Sequence, residues 1–103
     1  MSVLDRLRGR PSVPFAEARA AAENGVAIYW RPGCPFCLTL RVGLAGQGGK
    51  ASWVNIWRDP DAAAYVRSVN GGDETVPTVV IDGEPHTNPP PGLVRAALRS
   101  RAR

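Results

Sequence analysis

"VAIYWRPGCPFCLTL", residues 26–40, sets a strand against a helix with two cysteines at the join. Residues 26–30 are a continuous apolar run of β-type residues, as expected of a strand covered on both faces. Arg31-Pro32-Gly33 breaks the run. A helix is expected over 35–45, because Pro35 suits the first helical position, where no N–H is needed. Cys34 is then the N-cap, with its sulfur meeting the free N–H groups of the first turn, that of Cys37 included.

The flanking sequence supplies the rest of the sheet. Upstream, residues 1–14 read as an irregular arm, and "FAEARAAAENG" (15–25) as a short alanine-rich helix stopped by Asn24-Gly25. Downstream, "ASWVNIW" (51–57) alternates as a second strand. Asp59-Pro60 then starts a helix with its cap carboxylate and N1 proline in favoured places. Ala62, Val66 and Val69 give that helix an apolar face, and Asn70-Gly71-Gly72 ends it. "TVVI" (78–81) is a third strand, Asp82-Gly83 a two-residue hairpin turn, and 84–87 a fourth strand. A last helix over 91–100 turns Val94, Ala97 and Leu98 inward.

The order helix, β-α-β, α, β-β, α makes a parallel unit joined to an antiparallel hairpin. The expected architecture is α/β and thioredoxin-like: a small mixed four-stranded sheet with helices on both faces and an extra N-terminal helix. The chain divides into residues 1–25, an arm and short helix, and 26–103, the sheet-bearing domain.

Length and composition bound the function. With 103 residues, 44% of them hydrophobic, the chain makes one domain whose core needs neither a metal nor a disulfide. No apolar run is long enough to cross a membrane. The opening "MSVLDRLRGRPSVPF" lacks the apolar stretch of a secretory signal, so a cytoplasmic location is expected. The net charge of +4 comes from twelve arginines and one lysine, gathered mainly at the two ends (Arg6, Arg8 and Arg10; Arg95, Arg99, Arg101 and Arg103). A nucleic-acid face needs basic residues interleaved with stacking aromatics, so no specific nucleic-acid partner is expected. Trp30, Trp53 and Trp57 read as core or sheet-face residues, and His86 as a hairpin surface residue.

Three roles are open to the cysteine pair. A zinc site wants four ligands, and the chain offers Cys34, Cys37 and His86. A structural disulfide across three residues closes a loop too short to stabilise much. In a reducing compartment the remaining reading, a catalytic dithiol, fits best. The helix N-terminus favours thiolate at Cys34, while Cys37, one turn in, is expected to be less acidic and more buried. That asymmetry suits a nucleophile and a resolver. A second feature is Thr75-Val76-Pro77, just before the third strand, where a proline is ordinary and usually trans.

"YWRPGCPFC", followed about forty residues later by "TVPTV", resembles the glutaredoxins. The segment "SVNGGDETVPTVVIDGEPHTNP" is similar to the mycoredoxins, glutaredoxin-like proteins of actinobacteria that use mycothiol. The resemblance covers about residues 26–98. It implies a glutaredoxin fold and a monomeric thiol–disulfide oxidoreductase with no bound cofactor. Its clients would be proteins in mixed disulfides with a small thiol, with mycothiol as co-substrate. It also implies that Cys34 is the nucleophile and Cys37 the resolver, and that Val76-Pro77 is a cis peptide. Thr75 and Pro77 would flank Val76, whose N–H and C=O would meet the peptide-like part of the ligand. Arg31 would stand where many glutaredoxins carry a lysine near the ligand's anionic end. Thr87-Asn88 would replace the Gly-Gly-x-x-Asp segment that holds the ends of glutathione, a departure that points to a different small thiol. As alternatives, Arg31 is a solvated loop charge and Thr87-Asn88 caps the last helix, Asn before Pro89 being a good N-cap. Two rival functions stay open: a thioredoxin-type reductase of protein disulfides recharged by a flavoprotein, and a non-catalytic docking module.

Overall fold

A computed structural model describes residues 12–44 and 46–100; most of the N-terminal arm lies outside the described residues. The elements are α1 (Phe15–Ala21, continued by a 3-10 turn to Asn24), β1 (Val26–Trp30), α2 (Pro35–Gly43), β2 (Ser52–Asn55), α3 (Pro60–Val69), β3 (Thr78–Ile81), β4 (Glu84–Thr87) and α4 (Pro91–Arg99). The sheet order is β2-β1-β3-β4. β1 runs parallel to β2 and antiparallel to β3, which pairs antiparallel with β4. This is the mixed thioredoxin-like sheet.

Alternation along β1 builds two cores. Ala27 and Tyr29 face one layer with Ala18 and Ala22 of the N-terminal helical segment and Ala62, Ala63 and Val66 of α3. Val26 and Ile28 face the other, with Leu40 of α2 and Val94 and Leu98 of α4. Residues 26–29 are therefore buried on both faces, as the unbroken apolar run requires. The N-terminal helix shares the first core. Asp59 caps α3 by accepting from Ala62 N with one oxygen, and its other oxygen accepts from Phe15 N, tying α1 to α3. Phe15, Tyr29 and Tyr65 stack in a tilted trio, their centroids 5.4 to 6.1 Å apart.

The turns read at Asp82-Gly83 and Asn70-Gly71-Gly72 are present. Asp82 (φ 50°) and Gly83 (φ 84°) form the two-residue hairpin connection that needs left-handed backbone at both positions. Gly71 (φ 66°) ends α3, with Gly72 N donating back to Arg67 O. Three expectations need correction. α2 ends at Gly43 rather than 45. β2 ends at Asn55 because its partner β1 ends opposite it at Trp30, so Trp57 lies beyond the ladder and is 63% exposed. Trp53 is buried as expected and Trp30 half-buried, with Arg41 lying over both rings. His86 sits on β4 opposite Val79, partly exposed. Among the described residues no helix is long and apolar enough to cross a membrane.

Candidate active site

The C-terminal ends of β1 and β4 and the segment leading into β3 meet at one end of the sheet. Cys34 caps α2 with extended backbone, Pro35 takes the first helical position, and the Cys34 sulfur accepts from Cys37 N at 3.3 Å. Across the gap, the Cys34 thiol points at Val76 O, 3.6 Å away. Val76-Pro77 is a cis peptide. Both cysteines are free thiols, 8% and 6% exposed. Cys34 lies at the wall of an open cleft of about 450 Å³, whereas Cys37 is packed behind it in the core.

The two thiols differ in their surroundings. The Cys37 thiol is pushed up from 9.0 to about 12, first by burial and then by its hydrogen bond to Cys34 and the charge there, which together outweigh a backbone hydrogen bond and the positive charge of Arg31. Cys37 therefore stays protonated at neutral pH. One sulfur faces the cleft with the Cys37 N–H donating to it, and the other is a buried, neutral thiol one turn away.

The cleft is lined by Arg31, Cys34, Pro35, Phe36, Asp73, Glu74, Thr75, Val76 and Asn88. Of the residues singled out in the sequence, the fold thus gathers Arg31, Cys34, Thr75, Val76 and Asn88. Arg31 also donates to Glu74 O at 3.5 Å, which places its guanidinium against the far wall. Pro77 is buried behind that wall. Thr87 is not among the lining residues; its hydroxyl donates to Asn70 Oδ1.

Nor does Asn88 cap the last helix. Pro90, which has no side-chain donor or acceptor, precedes the helical Pro91 in extended conformation. Three consecutive prolines move the N-cap position two residues beyond the asparagine, to Pro90, and Asn88, at φ 46°, instead donates its N–H to Pro77 O at 2.7 Å. Phe36, Asp73 and Glu74 were not anticipated. Their signal was adjacency: Phe36 lies between the cysteines, and Asp73-Glu74 runs directly into Thr75-Val76-Pro77.

A glutaredoxin family model matches residues 26–86. The chain is 38% identical over 80 residues to Mycoredoxin 1 of Corynebacterium glutamicum, covering 77% of this chain and 99% of that protein. It is 40% identical over 74 residues to a Mycobacterium tuberculosis protein described as a glutaredoxin, covering 71% and 88%. A wheat glutaredoxin structure shares the fold, with a TM-score of 0.59 at 20% identity over 85% of this chain and 92% of that one. Oxidized glutaredoxin 2 of Chlamydomonas reinhardtii superposes with a TM-score of 0.53 at 27% identity, over 86% and 89%. Matched from its first strand into its last by the family model, and along nearly the full length of the corynebacterial protein, the chain belongs to the glutaredoxin family of thiol–disulfide oxidoreductases.

Proposed function

We propose that the protein reduces mixed disulfides between proteins and a small thiol, and that this thiol is mycothiol. The observation that carries the reading is the Cys34 sulfur, presented at the cleft wall by the start of α2 and facing the backbone of Val76. An attacking thiolate needs access, and Cys34 has it where Cys37 does not.

The Cys34 thiolate attacks the small-thiol sulfur of the mixed disulfide. The client leaves as a thiolate that takes up a proton, and the small thiol stays disulfide-bonded to Cys34. A second small-thiol thiolate then attacks the outer sulfur of that bond, releasing the symmetric small-thiol disulfide and regenerating Cys34. Where no second thiol arrives, Cys37 loses its proton and attacks Cys34, giving the intramolecular disulfide and the free small thiol. Arg31, Thr75, Val76 and Asn88 line the space the small thiol would fill, with the Val76 backbone as its peptide-like partner and Pro77 as the buried support behind it.

Mycothiol is supported by the named corynebacterial relative and by the absence of a Gly-Gly-x-x-Asp segment at Thr87-Asn88. Such a protein would act as a cytoplasmic monomer without a bound cofactor. The test is a comparison of recycling thiols. The protein is given one client carrying mycothiol or glutathione in mixed disulfide, with the matching free thiol in excess. Turnover at least tenfold faster with mycothiol is expected, and equal or faster turnover with glutathione would overturn the assignment.

A further inference from the structure

The cleft wall opposite Cys34 is residues 73–76, which with Pro77 behind them belong to neither helix nor strand. Its placement depends on contacts made from outside it. Several of these trace to Asn70, the residue that closes α3. Its Nδ2 donates to Val66 O at 2.8 Å and to Thr78 Oγ1 at 3.1 Å. Its Oδ1 accepts from the Thr87 hydroxyl. Thr78, fully buried, passes its own hydroxyl proton to Thr75 O at 2.7 Å. The main chain of Asn70 adds to this by accepting from Asp73 N.

These bonds have one consistent direction. The Thr87 hydroxyl donates to the Asn70 amide oxygen, the Asn70 NH₂ donates to Thr78, and Thr78 donates to the Thr75 carbonyl. Thr78 has one proton and spends it on Thr75, so it must accept from Asn70. An amide is the side chain that offers two donors and an acceptor from one planar group; aspartate would keep the bond from Thr87 and lose both donations. One residue thereby joins α3, β3 and β4 to the carbonyl beside Val76. Further restraints act on the same stretch: Arg31 on Glu74 O, the Arg67–Glu74 ion pair, and Asn88 N on Pro77 O.

We propose that Asn70 is a positioning residue that sets the Val76 edge of the cleft, and so governs binding of the small-thiol half of the substrate without touching it. The inference rests on the reading that this edge receives the ligand. The Cys34 sulfur is held by the start of α2 through Cys37 N, and its S–H contact with Val76 O is given up once the thiol ionises to attack. Disturbing Asn70 should therefore weaken capture of a mixed disulfide and leave the intrinsic reactivity of Cys34 alone.

The experiment is single-turnover reduction of a test protein carrying mycothiol or, in parallel, glutathione in mixed disulfide. The shift is read on whichever probe the wild type reduces. In Asn70→Asp the half-saturating concentration should rise roughly tenfold, the loss expected when a positioned edge is released. The limiting rate and the alkylation of Cys34 by iodoacetamide, which needs no edge, should stay within about twofold. Thr87→Val, which removes only the outermost bond, should give a smaller rise of about threefold in the same direction. An unchanged half-saturation with a lowered melting temperature would make Asn70 a structural brace and overturn the proposal. So would alkylation slowing in step with reduction. Failure of the wild type on mycothiol with success on glutathione would sink the mycothiol assignment and still decide the role of Asn70.

Discussion

Raising the pH isolates the buried resolver. Cys37 has its thiol pushed from 9.0 to about 12, chiefly by burial. For a group whose folded value is raised, the stabilising contribution is whole below the unfolded value and disappears as pH climbs toward the folded one. Near pH 10 the unfolded chain's thiol is about nine-tenths ionised, while the folded one is about one per cent ionised. The native state should then lose on the order of 1 kcal/mol relative to pH 8, and go on losing stability as the pH climbs further. The comparison is between Cys34→Ser, which retains only Cys37, and the double Cys34→Ser/Cys37→Ser variant. Tyr29 and Tyr65, also shifted upward by burial, are present in both and cancel. Urea midpoints at pH 8, 9 and 10 should diverge by that amount. Burial, the largest cause of the shift, persists in Cys34→Ser, so at pH 7.5 Cys37 there should alkylate slower than a free cysteine by about a hundredfold or more. Parallel stability curves to pH 10, or alkylation at the rate of a free thiol, would refute the idea of a protonated, sheltered resolver.

Three further outcomes follow from particular contacts. Asp59→Ala removes the α3 cap and the partner of Phe15 N together, so it should cost about 2–4 kcal/mol in chemical denaturation. Asp59→Ser, which keeps a capping oxygen, should recover about 1 kcal/mol of that; equal losses in the two variants would show that the cap contributes nothing. Gly43→Ala would set a methyl 2.5 Å from Pro91 Cβ. Despite alanine's better helix propensity, the melting temperature should fall by several degrees, about 1–2 kcal/mol; a rise would mean α2 and α4 are not so closely packed. Arg31→Ala should weaken capture of a mixed disulfide several-fold, read as half-saturation in single turnover, while leaving the melting temperature within about 2 °C. An unchanged half-saturation would return Arg31 to a solvated loop charge.

What could be read from the sequence was what local physics fixes. β1, α2 and the Cys34 cap follow from an apolar run, a proline and the residue before it. The Asp82-Gly83 turn sets the β3–β4 hairpin without help from elsewhere. Misreadings arose where a neighbour in space decided the outcome. Trp57 continues an alternating pattern, but β2 ends with its partner strand and leaves the indole outside. Asn88 looks like a cap, but a run of prolines displaces the helix start and the residue turns to Pro77 O. Thr87 lies outside the cleft lining and donates to Asn70, a contact nothing in its own segment signals. Four of the nine residues lining the cleft are 73–76, some forty positions from Cys34, and nothing in their own pattern says which way their side chains point.

The most direct test of the mechanism is turnover by single-cysteine variants on a mycothiol mixed disulfide with free mycothiol present. Cys34 can complete that cycle by itself, because a second small thiol regenerates it. Cys37→Ser is therefore expected to keep substantial turnover, and Cys34→Ser none. On a disulfide between two protein thiols, by contrast, Cys37→Ser should accumulate as a covalent adduct with its client, because only a neighbouring thiol at high effective concentration releases it quickly. Complete inactivity of Cys37→Ser on every mixed disulfide would contradict the mechanism and favour a thioredoxin-type reductase that depends on both cysteines.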